Sequence, residues 1–206
     1  MKVNVLLPPV HNCKSDNYIL NPGRIFFSVR IFFMYIWNMK KIITLLSFIG
    51  IISCQSQPLE TVKTLDVNQY AGTWYEIARL PNRFEKDLEY VTATYELMEN
   101  GKIKVINRGM SISEPGKKSE ITGKAWVPDS AFPGKLKVQF FWPFSGRYWV
   151  ISLDPDYRYA LVGDPSRKFL WILSKDKQLN QETYLKLVQT ARDNGFETDK
   201  LVLIKQ

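Results

Sequence analysis

Acid–base and nucleophilic chemistry near neutral pH draws mainly on histidine and cysteine. This 206-residue chain has one histidine, His11, and two cysteines, Cys13 and Cys54. Residues 55–206 therefore carry no imidazole base, no histidine metal ligand and no thiol. Carboxylates remain. Asp154 and Asp156 flank Pro155 in a turn, where aspartates are routine. Glu85, Asp87 and Glu89 fall in LPNRFEKDLE (80–89), a link between two strand-like runs, and Glu76 stands two residues after Trp74. The expectation is a non-enzyme with no catalytic residue, no metal and no cofactor.

Cys54 has a setting of its own, at the end of FIGIISCQSQP (48–58). Met39, Lys40 and Lys41 precede IITLLSFIGII, and Ser53 and Cys54 follow it; these are the charged, apolar and small-residue zones of a secretory signal peptide. The apolar zone is short of the roughly 20 residues a spanning helix needs. Ile51, Ile52, Ser53 and Cys54 also resemble a bacterial lipobox, whose cysteine becomes the lipid-modified first residue of the mature chain. Several acyl chains on one residue hold a protein firmly, whereas one chain alone is marginal. Residues 1–38 then read as translation from too early a start, 39–53 as a lipoprotein signal peptide, 54–64 as a lipidated polar tether and 65–206 as the folded domain. In the alternative, residues 25–37 extend the apolar run and Cys54 merely ends a membrane helix. Cys13 falls in the doubtful extension, so no disulfide is argued.

The net charge of +8 is concentrated in the same region. Six basic residues (Lys2, Lys14, Arg24, Arg30, Lys40, Lys41) and only Asp16 precede Cys54. The remainder is 22 − 19 = +3, with both signs interspersed, which argues against a nucleic-acid partner.

Beyond residue 65, short alternating runs separated by turn residues predict strands at 73–79, 90–97, 102–109, 119–127, 135–142, 147–154, 157–163 and 168–175. Asn100-Gly101, Pro115-Gly116, Pro133-Gly134, Ser145-Gly146 and Asp164-Pro165 make short links, hence sequential antiparallel hairpins. Only 80–89 is long enough to form a lid. A helix follows, with Asn180 as N-cap, Tyr184, Leu185, Leu187, Val188 and Ala191 as its apolar stripe, and Asn194-Gly195 as its stop. Residues 199–205 read as a ninth strand. The fold class is all-β: an eight-stranded antiparallel up-and-down barrel with one C-terminal α-helix outside and a short ninth strand.

Alternation assigns Val91, Ala93, Tyr95 and Leu97, with their counterparts on later strands, to the interior. Trp149, Ile151, Leu153, Leu170 and Ile172 are apolar on the outer face, as expected where a helix covers the sheet. Such an interior is either filled by side chains or able to hold one small ligand.

AGTWYEIARLPNRFE (71–85) resembles the first signature of the lipocalins, with Gly72 and Trp74 in place. VTATYEL, KVINRG, LKVQFFWPF, YALVGDP and FLWILSKD follow in register, a series that resembles the bacterial outer-membrane lipocalins, which are also similar to apolipoprotein D. The resemblance runs from about residue 65 to 206. It implies a barrel closed at one end that binds a fatty acid or lysophospholipid, for storage or transport in the envelope, on a protein lipid-anchored in the outer membrane and facing the periplasm. Trp74 would plug the closed end, and Lys175 would occupy a position where most members carry an arginine over that tryptophan. Lysine supplies the charge without the planar guanidinium.

With the resemblance included, Phe140, Tyr148, Val150 and Trp171 are expected to line the cavity, as are Ala93, Tyr95, Val105, Ile121 and Val138. Glu76 points inward and needs a partner, for which Tyr or Lys residues are at hand. Trp142-Pro143-Phe144 lies at the lid end, free to touch lipid or simply to cover the rim, with Arg83, Lys86 and Arg147 near enough to meet an acidic headgroup. The alternative function is a structural or protein-interaction envelope lipoprotein with a filled barrel. A homodimer stays open under either reading.

Overall fold

The computed structural model describes residues 57–206. Cys54, the signal-peptide segment 39–53 and the extension 1–38 lie outside the described residues.

Nine strands follow a one-turn helix: α1 (Val67–Tyr70), β1 (Gly72–Arg79), β2 (Leu88–Leu97), β3 (Ile103–Ser111), β4 (Lys118–Trp126), β5 (Lys135–Phe141), β6 (Phe144–Leu153), β7 (Tyr159–Gly163) and β8 (Leu170–Ser174). Then come α2 (Gln181–Asp193), a 3₁₀ turn (Thr198–Lys200) and β9 (Val202–Leu203). Each of β2 to β7 pairs antiparallel with the next, β8 pairs with β1, and β1 pairs with β2, which closes an eight-stranded up-and-down barrel. The expected ninth strand is present but short, because the 3₁₀ turn takes its first residues.

The ring has a seam. β1 meets β2 only over Gly72–Tyr75, and beyond it β9 takes the vacated edge, with Leu203 opposite Ala78 and Val202 opposite Arg79. Residues 204–206 complete the repair. Ile204 N donates to Ile77 O, Tyr90 N donates to Lys205 O, and the Gln206 amide donates to both Glu76 O (2.7 Å) and Val91 O (2.9 Å), one acceptor on each strand.

Topology defines two ends. α1, the β2–β3, β4–β5 and β6–β7 links and Lys175 lie at one; the 80–87 loop, the β5–β6 hairpin and the β3–β4 and β7–β8 links lie at the other. α1 went unread in the sequence. Asp66 caps it, accepting from Asn68 N at 2.9 Å, and Asp66 N donates to the Tyr157 hydroxyl at 2.8 Å.

Apolar side chains form two cores. The inner one gathers Tyr70, Trp74, Tyr95, Val105, Val150 and Leu173 inside the barrel, and the outer one packs Leu161, Leu170 and Ile172 against Leu187, Ala191 and Phe196. The expected outer positions Trp149, Ile151, Leu170 and Ile172 do belong to the outer core, but Leu153 packs inside. A bulge between Val150 and Ser152 shifts the register of β6 and reverses its alternation. Residues 57–62 lie against the barrel: Leu59 is buried in the outer core, Val62 packs against the inner core, and Val62 N donates to Val150 O.

Candidate functional site

The closed end is built around Trp74, which is fully buried. Its indole Nε1 donates to Tyr70 O at 2.7 Å, and the two rings lie 4.7 Å apart. Lys175 Nζ sits 4.4 Å from the indole centroid and donates to Ala71 O at 2.5 Å, so the lysine makes both the ring contact and a carbonyl bond. Gly72 adopts φ +93°, and a Cβ there would stand 3.3 Å from Lys175 Nζ. Only glycine meets both conditions without strain.

Above this plug the barrel encloses a cavity of about 80 Å³. Of the expected lining residues, Ala93, Tyr95, Val105, Val138, Phe140, Tyr148 and Trp171 are on its wall. Val150 is not: it is fully buried in the core beneath the cavity. Ile121 is also off the wall, although its direct partner on β3, Asn107, is on it; β4 has left β5 at this level, its ladder with β5 covering only Lys124–Trp126. Phe140 reaches the interior across Gly123, where a Cβ would come within 2.6 Å of its ring.

At the floor Tyr148 Oη bonds Tyr70 Oη (2.7 Å) and Tyr95 Oη (2.8 Å). Burial pushes all three phenols up, so they remain neutral hydroxyls that satisfy one another.

The upper wall is polar. Glu76, 3% exposed, receives Arg79 Nη1 at 2.6 Å. The expected Tyr or Lys partner is thus replaced by an arginine three residues on. Strict alternation would put Arg79 on the opposite face, but a bulge between Glu76 and Ala78 turns it inward. Burial, and then the nearby Glu85 carboxylate, raise Glu76 to about 8 in spite of Arg79. The second Arg79 nitrogen donates to the carbonyls of Glu85 and Leu88. Glu85 itself reaches in from the 80–87 loop and accepts from Trp171 Nε1 (3.0 Å) and Asn82 Nδ2 (2.7 Å). The loop is therefore clasped to the barrel by Arg79 and the Trp171 indole on one side and, on the other, by Asp87, which accepts from Ser111 and Ser113.

Asn107 completes this end of the cavity, and its Oδ1 is buried without a partner in the protein. Sequence reading missed Asn107, Glu85 and Arg79. The one available signal was Asn107 itself, the polar residue at the inward-facing parity of β3, two positions after Val105.

Other carboxylates serve the backbone. Asp154 accepts from Asp156 N and from Arg158 N and Nε, and Asp164 accepts from Ser166, Lys168 and Phe169 amides, so each organises its own turn. Arg83, Lys86 and Arg147 are exposed at the lid end, where Arg83 stacks on Phe84 at 4.8 Å.

A closed eight-stranded barrel with a plugged floor, an internal cavity and a long loop over its mouth is the architecture of a ligand-binding calyx. Residues 65–206 match the lipocalin-like domain, and the protein belongs to the lipocalin family. It is 43% identical over 161 residues to the outer membrane lipoprotein Blc of Citrobacter freundii, covering 76% of this chain and 90% of that one. Mouse apolipoprotein D is 35% identical over 162 residues, covering 74% and 82%. Among solved structures, insecticyanin of the tobacco hornworm superposes with a TM-score of 0.59 at 25% identity, covering 72% of this chain and 84% of that one.

Proposed function

We propose that this lipocalin holds the acyl chain of a fatty acid or lysophospholipid in its barrel, as a lipoprotein anchored through Cys54 in the outer membrane and facing the periplasm. Storage or transport of envelope lipid, without catalysis, is the role that follows. The observation that carries this reading is the cavity: apolar walls between a sealed floor and a loop clasped by a few polar bonds. Its 80 Å³ is well below the roughly 300–1,000 Å³ of ordinary small-molecule sites, so ligand entry requires the 80–87 loop and the Trp171 ring to move. The outer-membrane lipoprotein name of the bacterial relative supports the location, and the lipobox-like residues before Cys54 support the anchor.

Native mass spectra of residues 55–206, freed of detergent and mixed with oleate or lysophospholipid, test the binding. A one-to-one adduct that is lost on Trp171→Ala or Phe140→Arg is the expected result. The small cavity favours a second reading, a structural or interaction lipoprotein with a filled barrel. A bare protein that ignores both lipids would establish that reading instead.

A further inference from the structure

Two independent features converge on the open end. The first is the path of the chain entering the barrel. Gln57 lies at the β7–β8 link, where its carbonyl accepts from Arg167 Nη2, and the following residues then run down the barrel. Leu59 is buried in the outer core, Val62 N bonds Val150 O, and Asp66 N meets Tyr157 at the closed end. The chain thus arrives at the mouth and travels to the floor before β1 begins.

Cys54 is three peptide links before Gln57, so its Cα lies within about 11 Å of Gln57 Cα. The eight residues of β1 extend about 26 Å along the strand. At a tilt of roughly 40° that is about 20 Å along the barrel axis. The chain from Cys54 therefore joins the barrel on its mouth side, about a strand's length from the floor.

The second feature is the surface at that end. Trp142 is 86% exposed, Phe144 77% and Phe141 66%, all on the β5–β6 hairpin, and Phe84 on the lid and Ile112 on the β3–β4 link join them. Exposed cations surround them at Arg83, Lys86, Lys118, Arg147 and Lys168. Of the nearby acids, Glu114 is paired with Lys117, and Asp87 is turned toward the β3–β4 link, where it accepts from Ser111 and Ser113. Indole and phenyl groups beside cations suit the headgroup layer of an anionic bilayer. Apolar side chains at the floor are fewer and less exposed: Leu97, Met98 and Phe132, the last with Lys135 Nζ 4.3 Å from its ring centroid.

We propose that the barrel docks mouth-first on the same bilayer that holds its lipid, with the Trp142–Phe144 hairpin seated in the headgroup layer. The cavity then opens onto the membrane rather than onto the aqueous compartment. The proposal rests on the Cys54 anchor inferred above, and its test separates the two.

The full chain, processed in a bacterial host, is reconstituted into vesicles of phosphatidylethanolamine and phosphatidylglycerol. An environment-sensitive fluorophore is placed at Ser145→Cys on the hairpin or at Asn100→Cys on the β2–β3 turn. Flotation reads anchoring, and quenching by nitroxide lipids reads orientation. The expected result is co-flotation with several-fold stronger quenching at position 145 than at 100. Trp142→Glu combined with Phe144→Glu should abolish that difference while flotation persists.

Co-flotation with equal quenching, or stronger quenching at 100, overturns the docking and leaves the anchor standing. If Cys54→Ser floats as well as the wild type, the anchor reading falls, and the two labels still decide the docking. A wild-type chain that does not float overturns both. A label at 145 shielded equally without vesicles, in a dimer lost on Phe144→Glu, gives the patch to a second copy and overturns the proposal.

Discussion

The two ends of the barrel are held by different kinds of contact. At the closed end a fully buried indole is fixed by a tilted Tyr70 ring against it, a carbonyl bond, a lysine over its face and a glycine that admits the lysine. At the open end the lid is held through ionisable groups: Arg79 on the carbonyls of Glu85 and Leu88, Glu85 on Trp171, Asp87 on Ser111 and Ser113, and a buried Glu76 behind Arg79. Contacts of the first kind respond little to solution conditions. Those of the second are polar bonds at the rim, backed by a buried Glu76 whose carboxyl is pushed up to about 8, which suits the opening proposed above.

Trp74→Ala should break this contrast most severely, since removing a buried tryptophan costs about 3–5 kcal/mol. Urea denaturation would read it, and a loss no greater than that of Trp171→Ala would contradict the assignment of stability to the floor. A change of pH comes next and acts at the other end. Glu76 is raised to about 8 in the folded protein from an ordinary value of 4.5. Its stabilising proton is fully held below the lower value and is lost as pH rises through the higher. The denaturation midpoint should therefore fall between about pH 5 and 8, by at most about 1.4 kcal/mol per pH unit, and Glu76→Gln should flatten that window.

Lys175→Ala, which removes the contact over Trp74 and the bond to Ala71 O, should destabilise by about 1 kcal/mol in the same denaturation assay, independently of pH 5–8. Lys175→Arg should restore most of the loss. The smallest effect on stability is expected for Glu85→Ala, within about 1 kcal/mol. Its signature is kinetic: with Trp171 Nε1 unclasped, stopped-flow uptake of a fluorescent fatty acid should accelerate several-fold. An unchanged rate would show that the clasp does not limit entry.

Most of the barrel was legible in the sequence because strand alternation has a period of two and the turns carry glycine, proline, asparagine and aspartate. The reading failed where one residue is inserted. The bulges in β1 and β6 reverse the faces of Arg79 and Leu153, and no residue type marks either one. Ile121 has the right parity and stands opposite Asn107, but lies where β4 has already parted from β5, and that point of parting is a matter of register between strands. Val150 has the right face and lies too deep. The lid clasp joins Glu85 to Trp171 across 86 residues and has no periodic trace. Cavity size was equally hidden, because filled and hollow barrels share one pattern of small and aromatic side chains.

The seam between β1 and β2 bears on how the protein is made. The strand that fills it, Val202–Leu203, and the Gln206 side chain that bridges Glu76 O and Val91 O leave the ribosome after every other strand. Until then the mouth half of the ring has two unpaired edges, although seven hairpins' worth of local pairing is already available. Closure depends on contacts about 125 residues apart in the chain, the slow kind. Closure of the ring is thus a late event in folding: the mouth half of the barrel cannot lock before Val202–Leu203 and Gln206 are in place.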